Sequence, residues 1–165
     1  MSAYITLMTP MLDEECLIAA LVDVGFERPK IEVHAAPVAL VGYQGDRRTQ
    51  HANIVIRRQH VGSASNDLGF LASPTGYQAL ISDYDHPRFG SGWLSELGRR
   101  YQTRWAEKEA TLAAAERQRV EAERQRLVEA QRVAVHAKAR KLGYRVEETR
   151  EGDSIRLVLV KRTYG

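Results

Sequence analysis

The densest group of side chains able to do chemistry is Asp83-Tyr84-Asp85-His86. Two carboxylates and an imidazole could hold a divalent cation if His51 or His60 came from neighbouring strands. On an extended strand, however, Asp83 and Asp85 point one way and His86 the other. A turn in which Asp85 bonds local backbone amides is the favoured reading, so Asp83, Asp85 and His86 are only weak metal candidates. The five histidines, His34, His51, His60, His86 and His136, include no i, i+4 pair. Cys16, the single cysteine, lies one position from an apolar helical stripe with no positioned base, which favours an inert thiol over a nucleophile. No serine sits in a nucleophile-elbow pattern.

Gly42-Tyr43-Gln44-Gly45-Asp46-Arg47-Arg48 could cradle an anion through backbone amides, Arg47 and Arg48. It lacks the Lys-Ser/Thr that closes a Walker loop. The structural reading puts the glycines in a turn, packs Tyr43 and lets Gln44 bond backbone. A nucleic-acid surface is the stronger alternative. It would draw on Arg57, Arg58, Lys138, Arg140, Lys141, Arg145, Arg156, Lys161 and Arg162, with Tyr77, Tyr101, Tyr144 and Tyr164 for stacking. Acidic residues interleave with these, and no RNA-recognition, KH or helix-turn-helix signature accompanies them. The sequence supplies no catalytic or cofactor-binding motif, and an enzyme is the least favoured class.

The elements that would carry these residues follow from periodicity and punctuation. Ala3 to Met8 reads as a strand ended by Pro10. Leu17, Ile18, Leu21, Val22 and Val24 recur at helical spacing over about residues 12–25, after Asp13 as N-cap and before Gly25. Ile31 to Tyr43 contains Pro37, which restricts it to two short strands, a bulged strand or an edge strand. Ala52 to Arg58 reads as a strand with one wetter face, Ile54 and Ile56 alternating with Asn53, Val55 and Arg57. Asp67 to Leu71 and Tyr77 to Asp83 bracket the turn Ser73-Pro74-Thr75-Gly76.

From Trp93 to Lys141 there is no proline and one glycine, Gly98. As one helix these residues would extend about 74 Å, against a radius of gyration of about 15 Å expected for a globule of this length. The helix must therefore project or break and fold back. Residues 106–135 hold twelve charged residues, eight alanines and six large aliphatics. Glu-to-Arg pairs at 116/119, 121/124, 123/126 and 129/132 support the helix at i, i+3. Ala106, Ala113, Val120, Leu127 and Ala134 recur every seven residues, a narrow seam whose partner d positions are mostly polar. After Gly143, Tyr144 to Thr149 and Ile155 to Arg162 form a hairpin, and IRLVLV, apolar on both faces, reads as a central strand.

The 165 residues thus predict an α+β fold: a mostly antiparallel sheet with helices packed on one face, plus a long projecting charged α-helix. Residues 1–105 and 136–165 would form the α+β domain, with 106–135 an inserted helical arm. The net charge of +3 divides into seven Lys/Arg against ten Asp/Glu in residues 1–92 and seventeen against eleven in residues 93–165. One cysteine excludes an internal disulfide framework, no apolar run reaches the length of a membrane span, and the opening residues, without a basic start and an apolar stretch, lead to the expectation of no secretory signal. A cytoplasmic protein is expected.

Several of these stretches together resemble one family. They are LDEECLIAALVDVGF, Gly42-Tyr43-Gln44-Gly45, ANIVIR, Asp67-Leu68-Gly69-Phe70 to Gly76-Tyr77, Trp93-Leu94-Ser95-Glu96-Leu97 to Arg100-Tyr101, and Leu142-Gly143-Tyr144 to Ile155-Arg156-Leu157-Val158-Leu159. In this order they resemble the uncharacterised cyanobacterial and plastid family named after hypothetical chloroplast reading frame thirty-five. The resemblance implies a non-catalytic accessory protein, in some members linked with an AAA-type ATPase. The chain departs from the family in the forty-one residues between Tyr101 and Gly143, about four heptads more than the family pattern needs. The expected function is a non-enzymatic interaction or assembly module that forms a homo-oligomer or joins a larger complex through Ala113, Val120, Leu127 and Ala134. Nucleic-acid binding is the alternative, and no cofactor or membrane is implied.

Overall fold

The computed structural model describes residues 2–162. The chain divides into two compact units, residues 1–110 and 111–165.

In the first unit the elements are β1 (Tyr4–Met8), α1 (Glu14–Asp23), β2 (Ile31–Val41), β3 (Arg47–Ile56), α2 (Arg58–Val61), β4 (Leu68–Leu71), β5 (Gln78–Ser82), α3 (His86–Phe89) and the start of α4 (Ser91–Lys141). The five strands form one antiparallel sheet in the order β1-β5-β4-β3-β2. This is the α+β class read from the sequence. Leu17, Ala20 and Leu21 of α1, with Leu97 and Tyr101 of α4, pack on the sheet face formed by Ile54, Ile56, Phe70, Ala79 and Ile81. Phe26, Phe89 and Trp93 close one end of this layer, with ring centroids 5.1–6.3 Å apart.

The opposite sheet face carries a smaller cluster of Leu40, Ala52, Val55 and Leu80, flanked by Tyr4, Val38 and Leu71. This corrects the wetter face expected of β3, because Val55 is fully buried. Asn53, also buried, is a staple rather than a solvated residue. Its Nδ2 donates to the carbonyls of His34 and Ala35 and its Oδ1 accepts from Ala72 N–H. His34 and Ala35 lie where β2 slips register against β3, between Val33 and Val38. Pro37 stands in the same interval, so β2 is both the bulged and the edge strand that its proline demands.

In the second unit, α4 continues without interruption to Lys141, and β6 (Tyr144–Glu151) and β7 (Ser154–Lys161) form a separate two-stranded sheet. β7 is therefore not a central strand of the main sheet, and Val158 and Leu159 are exposed. The hairpin groups with residues 111–141, not with the domain of residues 1–105. The four Glu–Arg pairs at i, i+3 all form, at 2.7–3.4 Å. High helix propensity and local charge pairing maintain this stretch where tertiary packing is sparse.

Candidate interaction surfaces

The start of α4 is fixed on α1 by polar bonds along one face. The Tyr101 hydroxyl accepts the N–H groups of Leu12 and Asp13 at 3.1 and 3.0 Å. Arg104 clasps Asp23, and Lys108 reaches Asp13 at 2.6 Å and Glu15 at 2.9 Å. Asp13 also caps α1 by accepting Cys16 N–H. Burial works against the charged Asp13 carboxylate. The bonds from Lys108 and Cys16 prevail and hold its pKa below the ordinary value. Cys16 itself is buried, and its thiol is pushed up to about 11 by burial and by Asp13.

The Gly42–Asp46 turn is built from behind. Asn66, almost wholly buried, accepts Tyr43 N–H on Oδ1 and donates to Ser82 Oγ, while its own N–H goes to Asp85 Oδ2. Asp67 accepts the N–H groups of Val41 and Arg58 and the Arg57 guanidinium. Gly42 leaves room for this arrangement, because a Cβ there would lie 2.6 Å from Arg48 Nε and closer still to the Asp46 carboxylate. Tyr43 is 52% exposed and so does not pack as the sequence reading has it. With exposed Tyr84 it borders an open cleft of about 370 Å³.

The two arginines of the anion reading are not brought into one cradle. Arg48 is taken up by Asp46 at 2.7 Å and by the Ser2 carbonyl, whereas Arg47 lines a different groove with Arg57 and Arg58. In the nucleic-acid constellation, Arg57 is paired with Glu32 and Asp67, and Arg145 with Glu147. Tyr77 and Tyr101 are buried in the core and unavailable for stacking. Tyr144 is half-buried, and Tyr164 lies outside the described residues. Lys138, Arg140 and Lys141 are exposed in the last turn of α4.

Asp83 is exposed, whereas Asp85 is buried with its carboxylate occupied by Ser82 Oγ and Asn66 N–H. The expected turn forms at residues 83–85, closed by Asp85 N–H on the Ser82 carbonyl and by the Ser82 hydroxyl on Asp85, but the backbone amide that the Asp85 carboxylate accepts is that of Asn66, nineteen positions away. His86 packs its ring against Gly90. Among the described residues no three His, Cys, Asp or Glu side chains converge on a common point.

The second unit has a different character. Arg132 and His136 of α4 share the Glu148 carboxylate of β6, which these bonds hold below the usual range, led by the one from His136. Ala139 is the one buried residue among the described residues of this unit. Ala113, Val120, Leu127 and Ala134 are all exposed, Val120 by 56% and Leu127 by 58%. Leu112, Val133, Val135, Leu142, Val158 and Leu159 are exposed as well. Fold and surface together define an α+β protein with a long charged helix and exposed apolar side chains on its second unit. Compared with protein-family models, curated proteins and solved structures, the chain matches none.

Proposed function

We propose that this chain is a non-enzymatic assembly module that uses residues 111–165 to associate with another protein chain, first of all with a copy of itself. The observation behind this reading is that eight large apolar side chains of that unit are exposed while only Ala139 is buried among its described residues. An isolated two-stranded hairpin is at best marginally stable in water, so a hairpin on one helix gains most from a further layer. The seven-residue spacing from Ala113 to Ala134 suits a neighbouring helix, though with mostly polar d positions the contact is narrow. Membership of the reading frame thirty-five family belongs to the same proposal and rests on the sequence stretches that resemble it. So do a cytoplasmic location and a larger partner such as an AAA-type ATPase. No helix among the described residues is long and apolar enough to cross a membrane.

Light scattering across a concentration series tests the reading. The wild-type chain is expected to exceed monomer mass, and the double variant Val120→Glu/Leu127→Glu to weaken that association while retaining helical content. A wild-type chain that remains monomeric, or a double variant with unchanged association, overturns it. Nucleic-acid binding is supported by the exposed Lys138, Arg140 and Lys141, with Arg156, Lys161 and Arg162 exposed in the same unit. Steeply salt-dependent binding of a labelled oligonucleotide, lost in Lys138→Ala/Arg140→Ala/Lys141→Ala, would favour that alternative.

A further inference from the structure

The two edges of the five-stranded sheet are built differently. β2 carries Pro37 and a register slip, both of which discourage pairing with another strand. β1 runs Tyr-Ile-Thr-Leu-Met with no proline, no charge and no slip against β5. Two bonds set its phase. Asp83 N–H donates to the Ala3 carbonyl at 2.8 Å, and Thr9 N–H to the Tyr77 carbonyl at 3.2 Å. Opposed residues in an antiparallel ladder alternate between exchanging both bonds and exchanging none. Ala3, Ile5, Leu7 and Thr9 therefore bond inward to the β5 side, while Tyr4, Thr6 and Met8 turn their N–H and C=O groups outward. Among the described residues no strand, loop or side chain bonds these six groups.

The geometry points to a second copy of this chain as the occupant of that edge. β1 pairs antiparallel with its own counterpart about a two-fold axis at Thr6, joining two five-stranded sheets into one of ten. Each outward residue then exchanges two hydrogen bonds, six in all across the axis. The side chains are self-complementary in that register. Tyr4, whose ring packs on its own sheet with the hydroxyl bonded to the Asp67 carbonyl, stands opposite the Met8 of the second copy, an uncharged pair. Thr6 meets Thr6, a favourable cross-strand pair, and no charge is repeated across the axis. Met8 is 60% exposed and Thr6 is exposed, so both are accessible. A two-fold contact requires this reciprocity, which an arbitrary strand from another protein does not supply. The inference shares with the proposed function only the need for more than one copy, since its residues lie wholly outside 111–165.

A charge exchange at the axis tests it on the full-length chain. Thr6→Lys and Thr6→Asp each place like charges opposite one another and leave the bonds to β5 intact. Alone, each is expected to raise the dissociation constant at least ~10-fold. Mixed in equal amounts, they are expected to recover the wild-type mass as a heterodimer. Single variants that associate like the wild type, or a mixture that does not recover, overturn the β1 contact. If Val120→Glu/Leu127→Glu weakens association while the Thr6 variants do not, the helix surface stands and the β1 edge falls. The converse result leaves β1 standing alone. A wild-type chain that stays monomeric overturns both.

Discussion

Arg104 holds Asp23 in a two-pronged ion pair, Nε to Oδ2 at 2.7 Å and Nη2 to Oδ1 at 2.6 Å. The planar fork of the guanidinium matches the carboxylate, so this contact fixes orientation as well as distance. Tyr101, Arg104 and Lys108 lie at i, i+3 and i+7, on one face of α4. All three bond the ends of α1 or the segment leading into it. The core packing of Leu97 is thereby followed along α4 by polar bonds that set the position of the helix on α1.

Replacing Tyr101 by Phe keeps the buried ring and removes the oxygen that accepts Leu12 and Asp13 N–H. Leaving those donors without a partner is expected to cost about 1–3 kcal/mol. Thermal melts of the wild type and Tyr101→Phe measure it, and a drop of several degrees is expected. Coincident melting curves would contradict this role for the hydroxyl.

Acid should loosen the same contacts. The hydrogen bond from Arg104 holds Asp23 below its ordinary pKa of 3.8, and the one from Arg57 holds Glu32 below 4.5. In the folded chain both carboxylates stay charged at pH values where the unfolded chain takes up protons. Their contribution is complete above the unfolded values and is lost as pH falls through the folded ones. The urea midpoint is therefore expected to be flat from neutral pH to about 5 and to fall below about 4. Arg104→Leu and Arg57→Leu should each make the acid decline shallower, and a decline unaltered in both would refute the assignment.

Cys16 should be nearly inert while the chain is folded. With its pKa pushed from 9.0 to about 11, the thiolate population near pH 8 falls about 100-fold, before any loss of access is counted. Labelling with a thiol reagent is expected to be at least ~100-fold slower in the native chain than in urea. Comparable rates in the two states would show that the thiol is neither buried nor electrostatically suppressed.

Much of the element order was legible because glycine and proline punctuate the first ninety residues, and Pro37 narrowed its segment to two short strands, a bulged strand or an edge strand, of which the structure realises the last two together. Partner identities were not legible. Arg57 looked like part of a basic surface, yet Glu32 and Asp67, twenty-five and ten positions away, neutralise it. Tyr77 and Tyr101 looked available for stacking and are core residues with bonded hydroxyls. Asn53 looked solvated, and its staple across the β2 slip depends on where the sheet places His34 and Ala72. IRLVLV looked central because an apolar run reports what needs covering, not what covers it. In β7 the main sheet does not supply that cover.

The Glu–Arg pairs of α4 have a kinetic consequence. Residues 116–132 contain four glutamates and five arginines, and four of those arginines are paired within one turn. Opposite charges so close together cancel within the Debye length of about 8 Å at physiological ionic strength. A molecule approaching this stretch meets almost no long-range attraction or repulsion, and encounter there is governed by diffusion and shape. Its capture rate should hardly respond to added salt, whereas the lifetime of the contact rests on the apolar side chains between the pairs.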